Sequence, residues 1–377
     1  MEKKSSSLFW GEIHIHSNLS DGRGSPKQNL KHARDVVDLD FAAITDHAED
    51  LNQEKWKVTK DSTEYLNRLG NFVTLLGFEW THPSGKEVWE PLVREGLSPS
   101  ELDFPLYGHR NVYYKGRNGE YFAWNDPESD TPDKLWDKLR EQGTRFLAIP
   151  HHPASYVFPV DWEYFNPEFE RLVEIYSIWG SSECPASQDN DRPILRGGGE
   201  IPESRGSHVR DALSRGCRVG IIAGSDGHDG HGGRTRHHIQ NLTEHEGPFY
   251  PSGITGVYAE ELTREAIWEA LWNRSCFGTT GGKIKVKFSL DGHGMGSEIN
   301  QLNVPNVNVG VEVYGTADVR KAELIENGSI RKILKGNSPE FKRDIEMSLP
   351  EERPLYYYVR ISQVDGELAW SSPIWID

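Results

Sequence analysis

Cysteine is scarce in this chain of 377 residues: Cys184, Cys217 and Cys276 are the three, far apart and in no C-x-x-C pair. An odd, scattered set argues against a disulfide framework and against a thiolate zinc site. No apolar run approaches the ~18–20 residues that cross a bilayer. Basic residues are the minority, 42 Lys and Arg against 58 Asp and Glu, for a formal net charge of −16. That balance argues against a protein that grips nucleic acid or an anionic membrane through a general basic surface. Also missing are a Ser-His-Asp order, a Gly-rich phosphate loop and a dinucleotide fingerprint in a supporting strand context. The Lys- and Ser-rich start, Met1 to Ser7, runs directly into an apolar stretch from Leu8. No removable leader is therefore expected, and a cytoplasmic location is.

What is present is enough apolar material for a sizeable core: hydrophobic residues are 36% and aromatic ones 11%, with 12 Trp. Up to about residue 280, short apolar runs alternate with amphipathic segments. The strand candidates are Leu8–His16, Phe41–Asp46, Phe72–Glu79, His109–Tyr114, Phe146–His151, Leu172–Ser177, Val219–Asp226 and Ile254–Tyr258. Ser25-Pro26 and Thr131-Pro132 each place an N-cap before a first-turn proline, and Ser207 and Thr263 are further cap candidates. This α/β alternation predicts a parallel sheet, and the number of units favours a TIM-like barrel over an open doubly wound sheet. After Gly281-Gly282 the pattern becomes two-residue alternation with hairpin signals at Asn327-Gly328 and Asp365-Gly366. Residues 1–282 are thus expected to form a catalytic barrel and residues 283–377 a small accessory β-sandwich. Trp80–Gly108 and Gly180–Gly206 are longer loops than connection alone requires.

Histidine placement carries the chemistry. On an extended chain His14 and His16 project to one face and offer two imidazoles to a divalent metal. Other strand ends also finish in ligand types: Asp21 in the next loop, Asp46-His47, Glu79, His109, His151-His152 and Asp226-Gly227-His228. In a parallel barrel those ends meet at one rim, where active sites are built. Each residue alone would more ordinarily cap or pair; together they point to a metal cluster.

This ordered series resembles the PHP (polymerase and histidinol phosphatase) superfamily over residues 8 to about 280. Phe277-Gly278-Thr279-Thr280-Gly281, with Met295-Gly296 beyond it, resembles the carbaryl-hydrolase-like branch with its terminal β domain. The resemblance implies a distorted (β/α)7 barrel holding two to three divalent ions, manganese, iron or zinc. It assigns His14, His16, Glu79 and Asp226 to a first metal. Glu79 would bridge to a second, completed by His109 and His151, while Asp21, His47 and His228 would hold a third. Some relatives carry His where Asp21 stands, which makes this third site richer in oxygen. The doubled His151-His152 departs from the pattern; His151 is taken as the ligand and His152 as a contact for substrate. Asp46 is read as an orienting carboxylate.

Paired cations acidify a shared water and neutralise charge developing on a phosphoryl or carbonyl oxygen. No lysine occupies a strand end where a carbamylated bridge would be needed, and Glu79 can bridge instead. Three divalent ions would bring the formal charge from −16 to about −10 and concentrate positive field at the rim. The expected activity is a phosphoesterase acting through a metal-bridging hydroxide on a small anionic substrate. The alternatives are hydrolysis of an aryl carbamate or carboxylic ester, and a non-catalytic metal-containing binding protein. Glu79, His152, Glu174 and Arg234 are the candidate catalytic residues. Glu174 would touch substrate or form a structural pair. Arg234 lies with Arg236, His231, His237, His238 and His245 in a Gly-rich stretch, read as a solvated loop or as a lid meeting an anion. Glu183 is read as solvated, and Trp80, His82 and Trp89 as pocket-lining. His32, His208 and His293 are read as surface or capping residues. Oligomeric state is left open.

Overall fold

The computed structural model describes residues 6–82, 96–98, 101–102, 105–194, 203–234, 250–300, 302 and 304–377. Trp89, Arg236, His237, His238 and His245 lie outside them. The first ten strands are β1 (Ser7–Glu12), β2 (Phe41–Ile44), β3 (Val73–Thr81), β4 (His109–Tyr114), β5 (Phe146–His151), β6 (Leu172–Ser177), β7 (Gly180–Ser181), β8 (Gly220–Ala223), β9 (Ile254–Ala259) and β10 (Cys276–Thr279). Between them run α1 (Pro26–Asp35), α2 (Gln53–Leu66), α3 (Pro132–Glu141), α4 (Val209–Ser214) and α5 (Arg264–Trp272). Ser25 accepts from the Gln28 amide, and the Gln28 side chain accepts from the Ser25 amide, a reciprocal cap on α1. Thr263 caps α5 through Ala266. The cap of α4 is His208 rather than Ser207, because Asp211 reaches back to accept from the His208 amide.

The result is a mixed α/β molecule, mostly sheet with few helices. One 16-stranded sheet contains β1 to β10, in the path β10-β9-β1-β2-β3-β4-β5-β6-β7 with β8 on β6. The parallel expectation fails at five pairings. β4 is antiparallel to both β3 and β5, β9 to both β1 and β10, and β7 to β6. A parallel crossover needs a covering helix, and among the described residues none lies between β3 and β4. The reversal has a consequence for the site: His109 starts β4, yet it pairs with Thr81 at the end of β3 and His151 at the end of β5. The path of named strands is an open one, and the segments after β1 and β8 bond to each other at a bridge between Ile15 and Gly227, where the His16 amide donates to the Gly227 carbonyl at 3.0 Å.

The remaining strands are β11 (Lys285–Leu290), β12 (His293–Gly294), β13 (Glu298–Ile299), β14 (Asn306–Tyr314), β15 (Val319–Glu326), β16 (Ser329–Lys335), β17 (Glu340–Ser348), β18 (Leu355–Gln363), β19 (Leu368–Ser371) and β20 (Ile374–Ile376). Asn327 and Gly328 join β15 to β16 with φ of 45° and 78°, the two positive values that a two-residue primed turn requires. β12-β11-β14-β17 form a separate four-stranded sheet, whereas β19 pairs with β10 and carries its neighbours into the large sheet. One hydrophobic core unites Trp10, Leu30 and Ile44 with Val286, Val309 and Ile361.

Candidate metal centre

Glu79 stands on β3, buried to 1% exposure, and its two oxygens face different partners. Oε2 lies 3.1 Å from His16 Nε2 and 3.5 Å from His14 Nε2. Asp226 Oδ1 closes that group, 3.2 Å from both imidazoles. Oε1 lies 3.0 Å from His109 Nδ1 and 3.3 Å from His151 Nε2. A third group gathers on Asp21 Oδ1, with His228 Nε2 at 3.3 Å, His47 Nε2 at 3.6 Å and His16 Nδ1 at 3.8 Å. The Asp21 side chain is 54% exposed, so this group faces solvent while the other two are buried.

The donor chemistry fits divalent cations. Among the described residues, four sets keep their ligand atoms within 4.8 Å of one another: His14, His16, Glu79 and Asp226; His16, Asp21, His47 and His228; His109, His151 and His152; and His14, His151 and Glu174. His14 Nε2, both nitrogens of His16 and of His151, His109 Nε2 and Glu79 Oε2 are buried without a hydrogen-bond partner. So many orphaned polar atoms converging on one place are costly unless a further group satisfies them.

Other side chains aim these groups. His14 and His16 lie just beyond β1, where the chain stays extended and keeps the two-residue alternation. Both oxygens of buried Glu174 lie 3.1 Å from His14 Nδ1, which turns Nε2 toward the cluster. This contact is the pairing that was one of the two roles expected of Glu174. A Cβ on Gly224 would come within 2.2 Å of Glu174 Oε2, so glycine there makes room for the carboxylate. Glu12 accepts from the His14 amide at 2.6 Å. Thr81 Oγ1 lies 2.6 Å from His47 Nδ1 and donates to Glu79 at 3.1 Å. The Trp179 indole donates to Asp226 Oδ2. Asp46 does not reach the cluster; it accepts from the Ser17 amide and hydroxyl and from the Ser20 hydroxyl, holding the loop between His16 and Asp21. Glu12 and Thr81 were legible in principle, since each sits two residues from a ligand type on the same face. Trp179 and Gly224 left no signal in sequence.

Electrostatics divide the imidazoles in two. Burial alone would lower the pKa of His16, but the adjacent carboxylates of Asp226 and Glu79 outweigh it and lift the value to about 10. Burial opposes protonation of His47 too, and the Glu79 charge raises it to about 9. His14 is likewise raised, against burial, by Glu174 and Asp226. Burial dominates on the other side: His151 falls to about 3, and His109 and His152 are also lowered. These three are neutral and need lose no proton to act as ligands.

Several residues singled out in sequence have surroundings other than those expected. Trp80 is buried and donates its indole N–H to the Ser129 carbonyl, because alternation points it away from Glu79. Glu183 is not solvated: it is 1% exposed and receives Arg210, Arg360, Tyr358 and Trp370. His208 is buried, beside Glu203 and Asp211. Arg234 is exposed, and its neighbours Gly232 and Gly233 pack on Asn29, Ala33 and Leu39 rather than on the histidines. His82 does approach aromatic company, 4.8 Å from Tyr107 and 6.3 Å from Trp124 between ring centroids.

Residues 218–303 match a family model described as Protein of unknown function (DUF3604). An uncharacterized protein of Chlamydia pneumoniae is 30% identical over 387 residues, covering 98% of this chain and 57% of that protein. An uncharacterized protein of Chlamydia trachomatis serovar D is 30% identical over 398 residues, covering 99% of this chain and 58% of that protein. The chain thus spans little more than half the length of these curated relatives. Among solved structures, a two-domain protein from Bacteroides vulgatus ATCC 8482, described as containing a predicted PHP-like metal-dependent phosphoesterase, is similar over 98% of this chain and 95% of that one, at 13% identity and a TM-score of 0.45. PsfC from Pseudomonas syringae PB-5123 covers 67% of this chain at 13% identity and a TM-score of 0.36, over 82% of its own. Both structural likenesses are too distant to carry an argument.

Proposed function

We propose that this chain is a metal-dependent hydrolase acting on a small phosphate ester. The observation that carries the reading is Glu79, a buried carboxylate whose two oxygens each meet a separate set of imidazoles. His14, His16, Glu79 and Asp226 would hold one ion, Glu79, His109 and His151 a second, and Asp21, His47 and His228 a third. Bound divalent ions, manganese, iron or zinc, would supply an activated water and neutralise the oxygens of the electrophile. Glu174 holds the His14 ring, and Asp46 holds the loop that carries Asp21 to the rim. Thr81 fixes His47 so that its Nε2 faces Asp21. The exposed side of Asp21 is where a substrate oxygen would enter from solvent. The distorted barrel implied by the sequence resemblance would close where Ile15 meets Gly227.

One observation favours a second reading, hydrolysis of an aryl carbamate or carboxylic ester. Among the described residues, the ion pairs of Asp21, Glu79, Glu174 and Asp226 are all with imidazoles and none is with a Lys or Arg. Phe158 lies 4.0 Å from the His109 ring, an apolar surface suited to an aryl group. Phosphate demands charge around three oxygens, a carbonyl around one.

The test is turnover, by metal-loaded protein, of matched aryl phosphate mono- and diesters beside an aryl carbamate and an aryl ester. The His14→Ala/His16→Ala double variant is the control for contaminating activity. Phosphate turnover lost in the double variant is the expected result. Turnover of carbamate or ester alone would replace the first reading with the second. Absence of turnover on all four, with a biological activity unchanged in the double variant, would leave a non-catalytic binding protein.

A further inference from the structure

We propose that His152 is a metal ligand, the third imidazole of a His109–His151–His152 site. The inference rests on the metal-dependent reading above and adds to it a residue that the sequence resemblance leaves outside the ligand set.

The end of β5 holds a geometric conflict. Consecutive residues of a strand point to opposite faces, so His151 and His152 ought to diverge. They do not: their ring centroids lie 4.3 Å apart at 88°. The backbone resolves the conflict. β5 ends at His151, and His152 takes φ of +33°, outside the extended region. That turn folds the second ring back beside the first. Asp226, the carboxylate between His14 and His16, also has positive φ, at 54°. Such conformations are sparse for residues other than glycine and collect at functional sites. The surroundings hold the turn: Ser155 donates its amide to the His152 carbonyl at 2.8 Å, and the Ala154 amide donates to Ser182 at 3.3 Å.

The side chain is then aimed inward, its Nε2 4.0 Å from Asp226 Oδ2. His152 is 6% exposed and its Nδ1 has no hydrogen-bond partner. One nitrogen from each of His109, His151 and His152 lies within 4.8 Å of the other two. The rings are splayed, with His109 and His152 5.1 Å apart at 68°, so their lone pairs can converge where stacked rings could not. Phe158 covers both, 4.0 Å from His109 and 5.8 Å from His152, and keeps water from the outer side. A site of three imidazoles favours zinc, iron or cobalt over manganese or magnesium. The open group around Asp21 adds an exposed carboxylate, a harder oxygen ligand, to its imidazoles. One chain would therefore hold chemically unlike sites.

The experiment uses the full chain with zinc as the probe. Wild type, His152→Gly and His152→Asn are equilibrated with zinc and a chromophoric chelator, metal content is counted, and X-ray absorption reports the mean number of imidazoles per zinc. Glycine and asparagine both tolerate positive φ, so either variant keeps the turn, and circular dichroism checks the fold. The expected result is one tight zinc equivalent lost, or weakened by more than the roughly 10–100-fold that removing a supporting partner costs, with fewer imidazoles per remaining zinc. A smaller loss, or wild-type zinc content in both variants, overturns the assignment and leaves the functional reading intact. A wild-type chain that takes up no zinc, manganese or iron overturns both.

Discussion

At the scale of residues, the cluster holds protons where it would hold cations. His16 and His47, lifted to about 10 and about 9 by carboxylates that outweigh burial, are protonated at pH 7 in the metal-free protein. A divalent ion must displace those protons, because only the neutral imidazole binds it. Uptake at pH 7 is therefore expected to release more than one proton per chain. Affinity should climb as pH rises toward 9–10 and fall on acidification. Calorimetry of metal binding in buffers of unlike ionisation enthalpy measures this directly; a buffer-independent heat would contradict the charge assignment. The period-two placement of Glu12, His14 and His16 was readable in sequence. That Glu174 would meet His14 was not, because 160 positions separate them and only folding joins them.

Among the elements, the segment after β7 ties the site-bearing strands to the terminal ones. Glu183 gathers Arg210 of α4 with Tyr358, Arg360 and Trp370 of β18 and β19. Burial alone would raise this carboxyl, but Arg360 and Arg210 outweigh it and bring its pKa down to about 2. A depressed carboxylate contributes stability that is present above its unfolded value of ~4.3 and lost as pH falls through the folded value. Wild-type stability should thus decline between about pH 4.5 and 2, and Glu183→Gln should lose that part of the decline. Glu183→Gln should also cost on the order of 3–5 kcal/mol at pH 7, since the Arg210 guanidinium that pairs with Glu183 remains buried with its charge uncompensated, while Arg360 keeps Glu323. Urea unfolding across pH decides it; a variant with wild-type stability at neutral pH would show the network to be dispensable. A solvated loop was the natural reading of an acidic residue between Ser182 and Cys184, for the partners come from other parts of the chain.

For the whole molecule, the boundary expected near residue 282 is not a gap in the packing. β19 hydrogen-bonds to β10 across it, and Trp10 and Ile44 share a core with Val309 and Ile361. Removing either part would bare that core to water, at ~25 cal/mol for each Å² of apolar surface. The full chain is expected to unfold in one cooperative transition rather than two. Scanning calorimetry checks this, and two resolved endotherms would restore independent halves.

Local chemistry determined much of this protein. Caps at Ser25 and Thr263, the Asn327-Gly328 turn and the core strands follow from neighbours a few residues away, and sequence displays neighbours. So do the ligand-type residues, because extended chain with period two puts them on one face. Direction and meeting were decided only by tertiary structure. The reversal of β4 brings His109, at the start of its strand, beside the ends of β3 and β5. The backbone at His152 turns its ring beside that of His151, and Glu79 divides its oxygens between two sets of imidazoles. Each of these depends on contacts between strands distant in the chain, where burial and charge at the shared rim, not local preference, select the arrangement.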